Sequence, residues 1–360
     1  MKLSRRASFV ITKICISLHI MRSLLVLLCS LLAVSCTVSY DDKTDDKRFT
    51  VVKMLPHTPV KDQGESDLCW AYAMLATIES DRIGMGDSVN LSPHYLARMF
   101  MGEQTEKRYL CEGKHNVSSR GMMTDAIRLI NKYGMMPYES YKTDGNIRTA
   151  CRMLNDMALI ESRQGTSIES LREKSTEIMD ETLGSMPYNV YMYGVRYTTK
   201  EFALSVCMPH DYAAFTSFTH APFYEMTRID VPDNYYGDTF LNIPLDSLLS
   251  KTERAIGRGY AVCWEGDISN EGFSFHDGTA VIPDDSIFID QQQRQTAFSR
   301  LHTTNDHSMA IIGTATDRNG NKFFICKNSW GTDNPFGGIM YMSYNYFRLN
   351  TIAVVMRKDI

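Results

Sequence analysis

The sequence predicts an α+β fold in one two-lobed unit, and three observations carry that expectation. An apolar-striped helix opens directly after the polar loop Gln63–Leu68, further helix-start signals follow in the first half, and strand-like apolar runs dominate after Tyr260. At 360 residues with 44% hydrophobic content, the chain can bury a substantial core, and a single two-lobed unit fits better than two unrelated domains.

In chain order, residues 1–35 carry Lys2, Arg5, Arg6, Lys13 and Arg22 and no acids, and Leu24 to Val34 is an apolar run too short to span a bilayer. This reads as a signal peptide, for which Met21 is a second candidate start. Leu32-Ala33-Val34-Ser35-Cys36 resembles a bacterial lipobox, which makes Cys36 the lipidated residue; ordinary cleavage after Ser35 is the alternative. Residues 36–55 are expected to be a tether, with the charged run Tyr40–Arg48 solvated.

Beyond the tether, Tyr72, Leu75, Ala76 and Glu79 have helical spacing, and Ser66 or Asp67 is the expected N-cap, so Cys69 falls in the first turn. Ser92-Pro93 is a cap followed by proline at the first helical position, and Gly134 stands just past the helical stretch Asp125–Tyr133. In the last third, His307 heads the strand-like run Ser308–Gly313, and Asn328-Ser329-Trp330-Gly331 follows the strand-like Phe323–Cys326. The connection Asp317-Arg318-Asn319-Gly320 contains an Asn-Gly pair that favours a hairpin, so His307 and Asn328 are expected to face each other on adjacent strands.

A cysteine at a helix N-terminus meets unpaired backbone N–H groups and the positive end of the macrodipole, which predicts a stabilised thiolate. Cys69 is therefore the candidate nucleophile, His307 its base, and the Asn328 amide oxygen the group that holds the imidazole. Gln63, six residues before the cysteine, is placed to donate to an oxyanion. A buried inert cysteine is the usual fate of a helical thiol, but that reading needs Gln63, His307 and Asn328 all to match by accident. Trp330 is expected to shield the Asn328–His307 contact, and Trp70 to pack behind the nucleophile.

Together these residues resemble the papain-like cysteine peptidases: glutamine and cysteine six apart, Cys-Trp heading a helix, a histidine before a strand, and Asn-Ser-Trp-Gly. Ser66-Asp67-Leu68 replaces the family's Cys-Gly-Ser/Ala, so the disulfide made there cannot form. Cys69 and His307 are 238 residues apart, against roughly 130–150 in papain-type chains. The long spacing, with Leu91–Leu96, Gly121–Pro137, Tyr197–Phe202 and Gly259–Asp267, is similar to the bleomycin hydrolase and aminopeptidase C branch.

The resemblance implies a papain-like peptidase domain over residues 56–360: a helical lobe 56–185, an inserted helical and loop region 186–250, and a β-barrel lobe 255–360. It implies a cysteine peptidase of aminopeptidase type, with peptide or protein substrates. In that branch a C-terminal arm enters the cleft and its carboxylate meets the substrate amine. Here only Arg357–Ile360 follow the expected final strand Asn350–Met356. These four residues, Asp233 or Asp238 are candidate replacements for the arm, and an open-cleft endopeptidase is the alternative. A catalytically silent peptide-binding lipoprotein is a further alternative that nothing in the four site positions favours.

Other chemistry fits poorly. The formal charge is −4, and −9 once residues 1–35 are removed, with no basic cluster in the body of the chain, which argues against nucleic acid. No CxxC or HExxH pattern is present, and Asp317-x-Asn319-x-Asn321 lacks the remaining features of a calcium loop; no metal or cofactor is expected. His276 and His302 lack the context of His307. Export to an oxidising compartment allows one or two disulfides, while Cys263 and Cys326, inside apolar runs, read as buried hydrophobes. Export with lipidation places the protein in the bacterial cell envelope, anchored to a membrane.

Overall fold

The computed structural model describes residues 48–360 except residue 193. The expected signal peptide, Cys36 and the tether as far as residue 47 lie outside the described residues.

The expected tether ends earlier than residue 55, because Phe49–Met54 forms strand β1 and pairs antiparallel with a strand from the far end of the chain. Five helices follow: α1 (Cys69–Gly84), α2 (Pro93–Leu110), α3 (Met123–Tyr133), α4 (Ile147–Gln164) and α5 (Ile168–Leu183). The next segment holds β2 (Val190–Met192), β3 (Val195–Tyr197), α6 (Thr199–Val206), β4 (Tyr212–Thr216), β5 (Met226–Arg228) and β6 (Thr239–Asn242). The last part runs α7 (Leu245–Arg258), β7 (Val262–Gly266), β8 (Phe273–Ser274), β9 (Thr279–Ala280), α8 (Gln291–Ser299), β10 (His307–Asp317), β11 (Lys322–Lys327), β12 (Ile339–Ser343), α9 (Tyr344–Asn350) and β13 (Thr351–Arg357).

Local chemistry explains several boundaries. Ser92 Oγ accepts from Tyr95 N–H at the head of α2, with Pro93 in the first turn. Thr198 and Glu201 form a reciprocal capping box on α6. Gly134 ends α3 at φ 90°, and a Cβ there would lie 2.2 Å from the Thr199 carbonyl oxygen, so α3 and α6 approach where no side chain intervenes. The Asp317–Asn321 hairpin is held by Asp317 Oδ1, which accepts from Asn319 N–H and Asn321 N–H at 2.8 Å each.

Eleven of the described strands form one mixed sheet, ordered β5-β6-β4-β13-β7-β10-β11-β12-β9-β8 with β1 paired to β10, and β2 and β3 form a separate antiparallel pair. The region expected as helices and loops therefore differs from its reading: β4, β5 and β6 extend the sheet beyond β13. Those strands are three to five residues long, too short for an alternating pattern to stand out.

Two cores flank α1. One gathers side chains of the helical half, such as Leu68, Trp70, Met74, Phe100 and Leu154. The other is built on the sheet, with Trp264, Met309, Ile311, Phe324 and Tyr346. Every residue of α1 from Trp70 to Asp81 is buried, so this helix is covered all round rather than along one stripe. Its first residue, Cys69, is left at the junction of the two cores. No helix among the described residues is long and apolar enough to cross a membrane.

Candidate active site

Cys69 stands in the first turn of α1 as expected, but the cap lies one or two residues beyond the expected Asp67 or Ser66. Leu68 is the N-cap and makes no side-chain capping bond. Ser66 instead donates its hydroxyl to the Gln63 carbonyl at 2.6 Å, and Asp67 meets Ser119, whose hydroxyl donates to Asp67 Oδ2 at 3.3 Å. With no side-chain cap, the Cys69 backbone N–H at the head of the turn is left for whatever lies in the cleft.

Gln63 is fixed from two sides. Its backbone N–H donates to the Ser329 carbonyl at 2.8 Å, and the Ser329 hydroxyl donates to Gln63 Oε1 at 2.6 Å. Because Oε1 accepts, Nε2 is turned the other way, where it donates to the Ser66 carbonyl at 2.6 Å and keeps a second hydrogen.

His307 is buried at the start of β10, and its Nε2 lies 2.8 Å from Asn328 Oδ1. Ser329 N–H also donates to that oxygen at 2.8 Å, which fixes the amide orientation. An amide oxygen only accepts, so His307 carries its proton on Nε2 and leaves Nδ1 as the basic atom. Trp330 lies against the imidazole with ring centroids 4.7 Å apart, and Phe273 and Phe275 meet Trp330 edge-on. Trp70 is buried within the helical core, its indole N–H donating to the Ser119 carbonyl at 2.9 Å.

Gln63, Cys69, His307 and Trp330 line one cleft of about 310 Å³, with Asn328 behind the histidine. Two influences act against the thiolate expected from the helix terminus. Burial, then the Glu265 carboxylate, push the Cys69 thiol up to about 12, against the weaker opposing pull of the Ser308 and Trp70 N–H groups. Burial also pushes the His307 imidazole down to about 4, against the Asn328 contact. Burial thus disfavours the charged form of each group taken singly, and a thiolate–imidazolium pair, formed when the proton passes from sulfur to imidazole, gains mutual attraction that offsets the cost of burying each charge.

The cleft is also acidic. Glu65, Asp67, Asp233, Glu265 and Asp306 line it with two cations, Arg120 and Arg148. Arg120 grips Asp233 through two hydrogen bonds of 2.8 Å, and Arg148 approaches Asp67 at 4.0 Å. Of the candidate substitutes for a C-terminal arm, only Asp233 reaches the cleft. Asp238 lines a separate depression beside Ile127, Arg128 and Val355. Residues 357–360 follow β13 away from the site: Thr351 and His307 both pair with Gly266, whereas Arg357 pairs with Tyr212, about 20 Å along the strand. There Arg258 and Lys251 donate to the carbonyls of Asp359 and Ile360.

Glu265, Asn305, Arg120 and Ser329 carry no role in the sequence reading. Glu265 was legible as an acid inside the apolar run Ala261–Gly266, and Ser329 lies within the Asn328–Gly331 motif; Asn305 and Arg120 stand in loops without a pattern. His276 and His302 do not line the cleft. The six described cysteines are free, with Cys263 and Cys326 fully buried.

The Peptidase C1-like family matches residues 191–360. Cysteine proteinase 1, mitochondrial, of Saccharomyces cerevisiae (strain JAY291) is 20% identical over 381 residues, covering 87% of this chain and 77% of the relative. Among solved structures, PepW from Lactobacillus rhamnosis superposes with a TM-score of 0.68 at 17% identity, over 86% of this chain and 82% of that one. The fold is papain-like, and the protein is a cysteine-type peptidase. Within that class the chain resembles the bleomycin hydrolase branch.

Proposed function

We propose that the protein hydrolyses peptide bonds through Cys69, with His307 as base and acid, Asn328 orienting the imidazole and Gln63 donating to the oxyanion, and that it acts as an aminopeptidase. The observation that carries the residue roles is the 2.8 Å contact of His307 Nε2 with Asn328 Oδ1, at a cleft that Gln63 and Cys69 also line. The Cys69 proton passes to His307 Nδ1 as sulfur attacks the peptide carbonyl. The free Gln63 Nε2 hydrogen and the Cys69 backbone N–H receive the oxyanion. The C–N bond then breaks, the departing amine takes the proton from His307, and a thioester remains. Water attacks the thioester, gives its proton to His307, and the acid leaves as the thiol is restored.

Aminopeptidase action is supported by the branch resemblance and by the excess of carboxylates in the cleft, which suits a substrate ammonium. The placement of residues 357–360 away from the cleft favours a second reading, an endopeptidase. A peptide pair differing only in N-acetylation separates the two: cleavage of the free form alone supports the aminopeptidase, and rapid internal cleavage of the acetylated form supports the endopeptidase. An epoxysuccinyl reagent is expected to label the protein once, at Cys69, and Cys69→Ala to abolish turnover. Labelling elsewhere with Cys69→Ala still active overturns the assignment. Gln63→Ala is expected to lower kcat about 10²–10³-fold; a change confined to KM removes its oxyanion role.

For Cys36 we propose lipidation and membrane anchoring in the bacterial cell envelope, supported by the sequence pattern of residues 32–36. Radiolabelled fatty acid is expected in the wild type and absent from Cys36→Ser.

A further inference from the structure

Glu265 is the one acid of β7, and it sits where an acid is costly. Its residue is 2% exposed, yet it lines the cleft beside Cys69. β7 is an interior strand, and Glu265 pairs with Ser308 of β10 on one side and Ala353 of β13 on the other. Among the described residues no lysine, arginine or histidine lies within ion-pair distance of it. Met123 N–H donates to its Oε2 at 3.3 Å. Burial and the neighbouring Asp233 carboxylate push Glu265 up to about 8, with the Met123 N–H and the Asn305 amide opposing.

The Asn305 amide, close enough to act on Glu265, stands in the same space. Asn305 is 6% exposed and lines the cleft, and its Nδ2 is buried without a hydrogen-bond partner. A buried carboxylate without a cation and a buried amide without an acceptor are each expensive by themselves. Both find partners if one ligand brings a positive nitrogen and an adjacent carbonyl, which is what a peptide offers. The nearby cations are already committed: Arg120 to Asp233, with an additional 3.3 Å bond to the Asn305 carbonyl, and Arg148 towards Asp67.

We infer that Glu265 is a specificity-determining residue, whose carboxylate receives a cationic nitrogen of the substrate, either the α-ammonium or a lysine or arginine side chain, while Asn305 donates to a substrate carbonyl. The inference rests on the peptidase reading of the cleft and names what the cleft selects.

The test reads binding apart from turnover. In full-length Cys69→Ala, two peptide pairs are titrated by calorimetry: an N-acetylated peptide with arginine against the same peptide with norleucine, and the norleucine peptide free against acetylated. At least one cationic member is expected to bind about 10- to 100-fold more tightly, as for a charge-assisted hydrogen bond. Glu265→Gln in the same background is expected to erase that preference, and the pair that shows it identifies whether the nitrogen is the α-amine or a side chain. Glu265→Met, close in volume and unable to bind a cation, serves if Glu265→Gln does not fold. Equal binding within both pairs, or a preference that survives Glu265 replacement, overturns the inference. Hydrolysis of the same peptides by the unsubstituted chain reads the peptidase assignment separately: cleavage without charge preference removes only the role of Glu265, whereas a binding preference without cleavage removes only the assigned chemistry.

Discussion

Glu79 and Glu265 are both buried carboxylates of the two-lobed core, and they are treated in opposite ways. Glu79, near the end of α1, is fully enclosed. It accepts from Lys61 Nζ at 2.7 Å, Thr58 Oγ1 at 2.5 Å and Leu91 N–H at 2.6 Å, with Lys327 Nζ at 3.9 Å. Glu265 is as deeply buried and has a single backbone donor at 3.3 Å and no cation. A charge surrounded by partners ties elements together: here the segment before α1, α1 itself, the start of α2 and the end of β11 meet on one carboxylate. Lys327 is the residue before Asn328, so that cluster also anchors the strand end carrying the histidine's partner. A charge left without partners at the wall of a cleft costs stability, and its retention points to a ligand that completes it.

The largest expected effect breaks the satisfied cluster. Glu79→Ala strands Lys61 and Lys327 beside a cavity and is expected to cost about 3–5 kcal/mol in denaturant unfolding. Glu79→Gln, which keeps the shape, should cost less. A loss below about 1 kcal/mol for the alanine variant would show that the two carboxylates are not different in kind.

Next in size is the response of Glu265 to pH. Its folded pKa, about 8, lies above the ordinary 4.5, so the folded state holds this proton more tightly than the unfolded chain. The stabilisation is therefore complete below about 4.5 and is lost as pH rises to about 8. Glutamine has no such titration. Glu265→Gln is expected to be more stable than the wild type at pH 9 by on the order of a few kcal/mol, with the difference shrinking towards pH 4. A difference that does not vary with pH would mean that Glu265 is compensated after all.

The smallest effect sharpens the link between the anchored strand end and the cleft. Ser329→Ala removes the hydroxyl that turns the Gln63 amide, and should lower kcat about 2- to 10-fold, the worth of one ordinary hydrogen bond, with KM little changed. An unaltered kcat would show that the Ser66 contact alone orients Gln63.

Much of the fold and of the candidate site was legible in the residues because it is local. The Ser92-Pro93 cap, the Asn319-Gly320 hairpin and the six-residue step from Gln63 to Cys69 are each written in neighbours along the chain. The hairpin in turn brings His307 to Asn328, since short-range turn chemistry sets which strand ends meet. The short strands β4 to β6 were not legible, because three to five residues do not establish a period and β4, which joins them to the sheet, pairs with β13, a partner more than a hundred residues away.

The sequence by itself determined which side chains stand at the cleft's centre and the two-lobed class that holds them. Only the tertiary structure decided their electrostatics. The helix terminus argued for a thiolate, but desolvation by both cores and the Glu265 carboxylate outweigh the few N–H dipoles of one helical turn. The same holds for the Arg120–Asp233 pair and for the uncompensated Glu265, whose surroundings come from segments 113 and 142 residues apart in the chain. Helical periodicity and turn chemistry act between near neighbours, whereas the cost of burying a charge is set by everything that packs around it, and only the completed fold brings those groups together.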